Sequence, residues 1–154
     1  MHISWLGGTA IRIQTKPNDT DVVLVVDPYR PKTGSFPRSL APYIALFTHG
    51  EEDAITLSGN PFILATPGEC ETKGVLMSAM YGKDTDHLLV RFDSEGLYAA
   101  HLGYTNAPLT DAQLEMVGDV DILFLPVGAN DAYDAEEAVK AILELANNKF
   151  YIKY

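Results

Sequence analysis

Basic residues are scarce in this sequence: 11 Lys and Arg stand against 21 Asp and Glu, a formal charge of −10. No basic run offsets the imbalance, so a phosphate-rich partner is repelled at long range and nucleic-acid binding is not expected. Long apolar runs are missing as well. Val22 to Val26 and Ile122 to Val127 fall far short of the roughly 20 residues that a membrane helix requires. Met1 leads directly into strand-like sequence, with no signal-peptide pattern and no expected membrane association. Cysteine is almost absent. Cys70 alone cannot form an internal disulfide, which suits a reducing cytoplasm, and without a base beside it the thiol reads as structural. There is also no Gly-x-Gly-x-x-Gly or Walker pattern, and Ser58-Gly59 and Ser78 lack the strand-turn-helix setting of a nucleophile elbow.

What is present is enough for one core. With 154 residues, 47% of them hydrophobic, residues 1–154 are expected to form a single domain, since two would be cramped. The first half reads as strands at His2 to Gly7, Ala10 to Thr15, Val22 to Asp27 and Ile44 to Thr48, punctuated by Gly7-Gly8 and Pro17-Asn18-Asp19. Ile11, Ile13 and Thr15 alternate with Arg12, Gln14 and Lys16, the period of a strand with one wet face. Val22 to Val26 is apolar on both faces, which suits a central strand covered on both sides. Prolines 28, 31, 37 and 42, with Gly34 and Ser35, make the intervening stretch an ordered loop and not a helix.

A second set of strands is expected at Phe62 to Thr66, Gly74 to Met80, His87 to Asp93 and Leu97 to His101, with Asp93-Ser94-Glu95-Gly96 as the clearest hairpin turn. Thr110 is placed to cap a helix over Asp111 to Val117, and Ile122 to Pro126 reads as another buried strand. A last helix runs from Asp134 to about Ala146, with Ala138, Ile142 and Leu145 on one face, before a closing strand at Phe150 to Tyr154. Strands first, then strand-helix-strand, indicate a layered α/β sandwich.

Several stretches stand in an order and spacing that carry more information than any one of them: Ile3-Ser4-Trp5-Leu6-Gly7, Val25-Val26-Asp27-Pro28-Tyr29, Phe47-Thr48-His49, Ala65-Thr66-Pro67-Gly68-Glu69, Ala100-His101-Leu102-Gly103 and Ile122 to Gly128. Together they resemble the metallo-β-lactamase superfamily, in its branch of small bacterial Zn-dependent hydrolase-like proteins related to the ascorbate-phosphate lactonases. The resemblance implies a four-layer αβ/βα sandwich with its site at one end, between two sheets, and an end of the chain that is shortened relative to the family. It also implies a Thr-His-x-His-x-Asp-His loop, a bridging Asp and a late His that bind one or two zinc ions, which activate water.

Against that pattern the ligand set is depleted. The loop reads Thr48-His49-Gly50-Glu51-Glu52-Asp53-Ala54, so His49 and Asp53 match while Glu51 and Ala54 replace two histidines. Gly103-Tyr104-Thr105 stands where the family has Gly-Asp-Thr, putting a neutral phenol in place of a bridging carboxylate. Tyr151 to Tyr154 lacks the last histidine, and Lys153 there would repel a cation. The candidate metal ligands that remain are His49, Asp53, Glu69 and His101, with Asp53 also the candidate catalytic carboxylate. Zinc or another divalent ion is the only cofactor they suggest.

The alternative for His49 is a strand-end residue bonded to its loop, and for His101 a half-buried histidine before a glycine turn. His2 and His87 are expected in core or surface roles. Asp27, before Pro28, is expected to cap a turn or orient His49. Two functional readings follow: a hydrolase-like protein that is weakly active or non-catalytic, holding an unidentified small molecule, and a divergent metal-dependent hydrolase of a small ester, lactone or phosphate-bearing substrate. An uncovered edge at the closing strand would favour a homodimer.

Overall fold

The structure, a computed structural model, describes residues 1–30, 39–128 and 132–145 and the backbone of 150–153. Hydrophobic alternation and turn residues build a first sheet from β1 (His2–Gly7), β2 (Ala10–Thr15), β3 (Val22–Val26), β5 (Ile44–Leu46) and β7 (Phe62–Leu64), in the order β1-β2-β3-β5-β7. β4 (Ser39–Leu40) and β6 (Thr56–Leu57) pair with each other apart from it. The second sheet has the order β13-β12-β11-β10-β9-β8. It consists of β8 (Gly68–Thr72), β9 (Val75–Tyr81), β10 (Leu88–Ser94), β11 (Leu97–His101), β12 (Ile122–Leu125) and β13 (Phe150–Lys153), with α1 (Asp111–Val117) and α2 (Ala135–Leu145) between its later strands.

The residue pattern explains the layers. Ile11 and Ile13 of β2 are buried while Gln14 between them and Thr15 is exposed, as period-two alternation requires. They meet Leu24, Val26, Ile44 and Leu46 from the same sheet and Met77, Val90, Phe92 and Phe124 from the other, forming the core between the sheets. Val25, Ala45 and Phe47 point the opposite way and are covered by Leu40, Ala54 and Leu57, so β3 is buried on both faces. Leu89, Ala100, Leu123 and Leu125 face α1 and α2 through Val117, Ala138, Ala141 and Leu145. Helices thus cover the outer face of the second sheet, whereas among the described residues the outer face of the first is covered by β4, β6 and their flanking chain.

The sequence and the fold differ at particular places. The strand expected through Asp27 stops at Val26, because Asp27 adopts a left-handed φ of 47°. Gly68–Thr72, which the sequence reading assigned to no strand, forms β8, an outermost strand whose exposed polar residues carry no apolar period. Most of the proline-rich stretch, the end of the last helix and Tyr154 lie outside the described residues. No described helix is long and apolar enough to cross a membrane.

α1 begins where Thr110 makes a capping box: its hydroxyl accepts from the Gln113 N–H, and the Gln113 side chain accepts from the Thr110 N–H at 2.9 Å. The same Gln113 amide donates to the carbonyls of Tyr81 and Gly82, at 2.9 Å each, and so ties the helix to the hairpin between β9 and β10. Thr110→Ala is expected to cost about 1 kcal/mol, read as a fall in melting temperature of about 2–4 °C; an unchanged melting temperature would show that the cap contributes nothing.

Candidate functional site

Strand ends from both sheets meet at one end of the sandwich. β3 delivers Asp27, β5 delivers Thr48 and His49, β11 delivers His101 to Tyr104, and the β9–β10 hairpin delivers His87. The sheets are joined there by a backbone bond, Leu88 N–H to the Thr48 carbonyl, at 2.7 Å. Gly103 makes that approach feasible: at φ +57° its missing Cβ would lie 2.5 Å from the Leu88 carbonyl oxygen.

Asp27 lies beneath the mouth, fully buried. Its carboxylate accepts from the Thr48 N–H at 2.7 Å and the Thr48 hydroxyl at 2.6 Å. Burial pushes its pKa up to about 6, against the lowering effect of Thr48 and of further bonds from Thr9 and Tyr29. The Tyr29 phenol, which burial and the nearby Asp27 charge hold above its ordinary range, donates to the Gly50 carbonyl at 2.8 Å. Asp27 therefore holds Thr48, and Tyr29 holds the loop that follows His49.

His49 is half-buried beside two phenol rings. Its ring centroid is 3.9 Å from that of Tyr29 and 4.4 Å from that of Tyr104, the latter edge-on at 84°. Its Nδ1 lies 3.5 Å from the Thr48 hydroxyl, long for a hydrogen bond. Desolvation, reinforced by His87 and opposed by Asp53, lowers its pKa to about 4, so the ring is neutral at pH 7. His87 stands 6.5 Å from His49 between centroids, and its Nδ1 pairs with Asp84 Oδ1 at 2.6 Å. That bond pulls the Asp84 carboxyl below the usual carboxylate range.

The four candidate ligands do not share this position. His101 is fully buried, not half-buried as expected; Nε2–H donates to the Thr9 carbonyl at 3.1 Å and Nδ1 accepts from the Gly103 N–H at 3.1 Å. Burial, with a smaller effect from His49, takes its pKa down to about 3. Using it as a ligand would break one of these bonds. Glu69 sits exposed on β8, paired in register with Ser78, whose hydroxyl donates to it at 3.2 Å. Asp53 is exposed in the loop after His49, close enough to act on the His49 charge, and its backbone carbonyl accepts from Arg30 N–H at 3.1 Å. Cys70 lies far from the description of a reactive thiol, because burial and the neighbouring Glu69 raise its pKa.

Among the described residues no three His, Cys, Asp or Glu side chains converge as metal donors. The donor set does not fit a two-metal centre: the imidazole of His101 is engaged at both nitrogens, and an aromatic ring stands at Tyr104, beside His49. The site residues that the sequence reading passed over are Tyr29, His87 and Tyr104 as neighbours of His49. A signal for His87 was present in Asp84-x-x-His87, a spacing at which an Asx-type turn brings carboxylate and imidazole together, since Asp84 Oδ1 also accepts from Asp86 N–H at 3.1 Å.

The fold is similar to that of several solved structures. A candidate Zn-dependent hydrolase of the metallo-beta-lactamase superfamily from Thermotoga maritima is 24% identical, with a TM-score of 0.80 over 98% of this chain and 73% of that one. A metallo-hydrolase from Ignicoccus hospitalis is 15% identical, with a TM-score of 0.68 over 98% and 80%. A diiron β-hydroxylase from Streptomyces venezuelae is 10% identical, with a TM-score of 0.68 over 99% of this chain and 44% of that one. These likenesses concern the fold, and their chemistries differ. No curated protein matches the chain. The model of the beta-lactamase superfamily domain family matches residues 2–150, nearly the whole sequence. The chain therefore belongs to that family, and the sandwich described above is its metallo-β-lactamase fold.

Proposed function

We propose that this chain is a hydrolase-like member of its family that assembles no catalytic metal pair, and that it is weakly active or non-catalytic, serving as a cytoplasmic binding module for a small molecule. The observation that carries this reading is the surroundings of His49, where two phenol rings lie against the imidazole and, among the described residues, no group of three donors converges. A fold does not confer an activity on a site that lacks the activity's groups. The acidic surface supports the absence of a nucleic-acid partner.

A second reading is a divergent hydrolase that uses one divalent ion. It is favoured by the neutral state of His49 and the nearness of Asp53; Glu69 and His101 would have to leave their present bonds to join them.

Metal analysis of protein purified without chelator separates the two, and well under one equivalent of any transition metal is expected. EDTA is expected to leave the melting temperature unchanged, whereas an ion held at about 1,000 times its Kd would contribute about 4 kcal/mol to stability. One or two firmly bound equivalents, with a melting temperature that collapses in EDTA, would defeat the first reading.

A further inference from the structure

The loop that follows His49 at the end of β5 is held by bonds to the segment after β3. The Tyr29 hydroxyl donates to the Gly50 carbonyl at 2.8 Å, Arg30 N–H donates to the Asp53 carbonyl at 3.1 Å, and Ile55 N–H donates to the Pro28 carbonyl at 2.8 Å. Tyr29 and Ala54 form a single antiparallel bridge, and Ala54 N–H closes a turn onto the Glu51 carbonyl at 3.1 Å. On the opposite sheet, Tyr104 follows the glycine that lets β11 pass against Leu88 and Thr48. Its ring centroid is 4.4 Å from that of His49, at 84°, and the Tyr29 centroid is 3.9 Å from it, tilted at 45°.

We infer that the Tyr29–His49–Tyr104 ring cluster clamps the 49–54 loop to both sheets and does so without any metal. Each ring comes from a different element: Tyr29 follows β3, His49 follows β5 and Tyr104 follows β11. The cluster therefore spans the two sheets. Edge-to-face aromatic contacts are favourable beyond the area they bury.

This inference rests on the proposed absence of a catalytic metal pair, and it is tested by loop order rather than by metal content. Tyr104→Ala is expected to lower the melting temperature by about 5 °C or more. The same variant is expected to speed limited proteolysis between Gly50 and Asp53 about tenfold under conditions where cleavage follows local opening. Tyr104→Phe keeps the ring and is expected to retain most of the stability and cleavage resistance that Tyr104→Ala loses. Tyr29→Phe, which keeps the ring but deletes the hydroxyl that bonds Gly50 and acts on Asp27, is expected to give an intermediate cleavage rate. EDTA is expected to change none of these.

Loop cleavage that stays at its original rate in Tyr104→Ala would overturn the clamp, even for a protein free of metal. Cleavage that rises equally in Tyr104→Phe would also overturn it, since ring packing would then not be the cause. A loop that loosens in EDTA with both tyrosines intact would assign the cross-link to an ion, whereas bound metal whose removal leaves the loop closed would refute the functional reading and leave the clamp standing.

Discussion

Asp27→Ala is expected to destabilise the protein by about 3–5 kcal/mol, which is about 10 °C in melting temperature. Two costs combine. The Thr48 N–H and hydroxyl, both on a residue with no exposure, lose their acceptor. Alanine must also adopt the left-handed φ of 47°, at a cost of about 1 kcal/mol that Asp and Asn partly avoid. Asp27→Asn is therefore expected to cost less than half as much near neutral pH. Equal losses for the two variants would mean that the acceptor, not the backbone, accounts for the whole effect.

The comparison of Asp27 with Asn also carries a pH signature. Asp27 has a folded pKa of about 6, above its ordinary 3.8, so the folded state binds its proton more tightly. Its contribution is fully present below pH 3.8 and is lost as the pH rises through about 6, a difference of about 3 kcal/mol. His101 has the opposite sign: its pKa falls from 6.5 to about 3 on folding. Its contribution is fully present above pH 6.5 and is lost as the pH falls, reaching about 3 kcal/mol by pH 4. The half-exposed His49 adds to the slope of His101 with a smaller, solvent-screened effect. Between pH 6 and pH 4 the two buried groups nearly cancel.

The original protein is thus expected to show a shallow dependence of stability on pH across that interval, and Asp27→Asn a steep loss of about 3 kcal/mol on acidification. Denaturant midpoints at half-unit pH steps, with EDTA present, measure both. Parallel profiles would sink the assignment of a raised pKa to Asp27.

The regular elements were legible because their signals are local. The limits of β1, β2, β11 and α1 coincide with the stretches read from alternation and from the Thr110 cap. The double apolar face of Val22 to Val26 announced a strand covered from both sides, as the packing of Leu24 inward and Val25 outward bears out. β8 was missed because an edge strand of Gly-Glu-Cys-Glu-Thr, partly exposed along its length, carries neither an apolar period nor a buried run. The site was legible only in part. A motif placed His49 and Asp53 in one loop, but it could not show that His101 is turned inward onto Thr9 or that Glu69 faces Ser78 across a strand pair. Nor does any local spacing bring Tyr29, His49, His87 and Tyr104 together. They come from four segments whose proximity exists only once the sheets have packed.

Gly103→Ala is expected to be the most damaging single-methyl addition at the mouth, at about 3 kcal/mol or more. The new Cβ would lie 2.5 Å from the Leu88 carbonyl and 3.0 Å from Thr48 Cβ, both parts of the contact that joins the sheets. Neither is the end of a flexible side chain, so the backbone itself must move, carrying Tyr104 away from His49. Gly8→Ala supplies the control. Gly8 has a similar φ of +55° with nothing within 4 Å of its added Cβ, so it isolates the left-handed penalty of about 1 kcal/mol. Stability measured for both variants separates conformational cost from contact cost. If the two substitutions destabilise equally, the close passage of Gly103 does not hold the sheets in register, and the argument that glycine there positions Tyr104 against His49 fails with it.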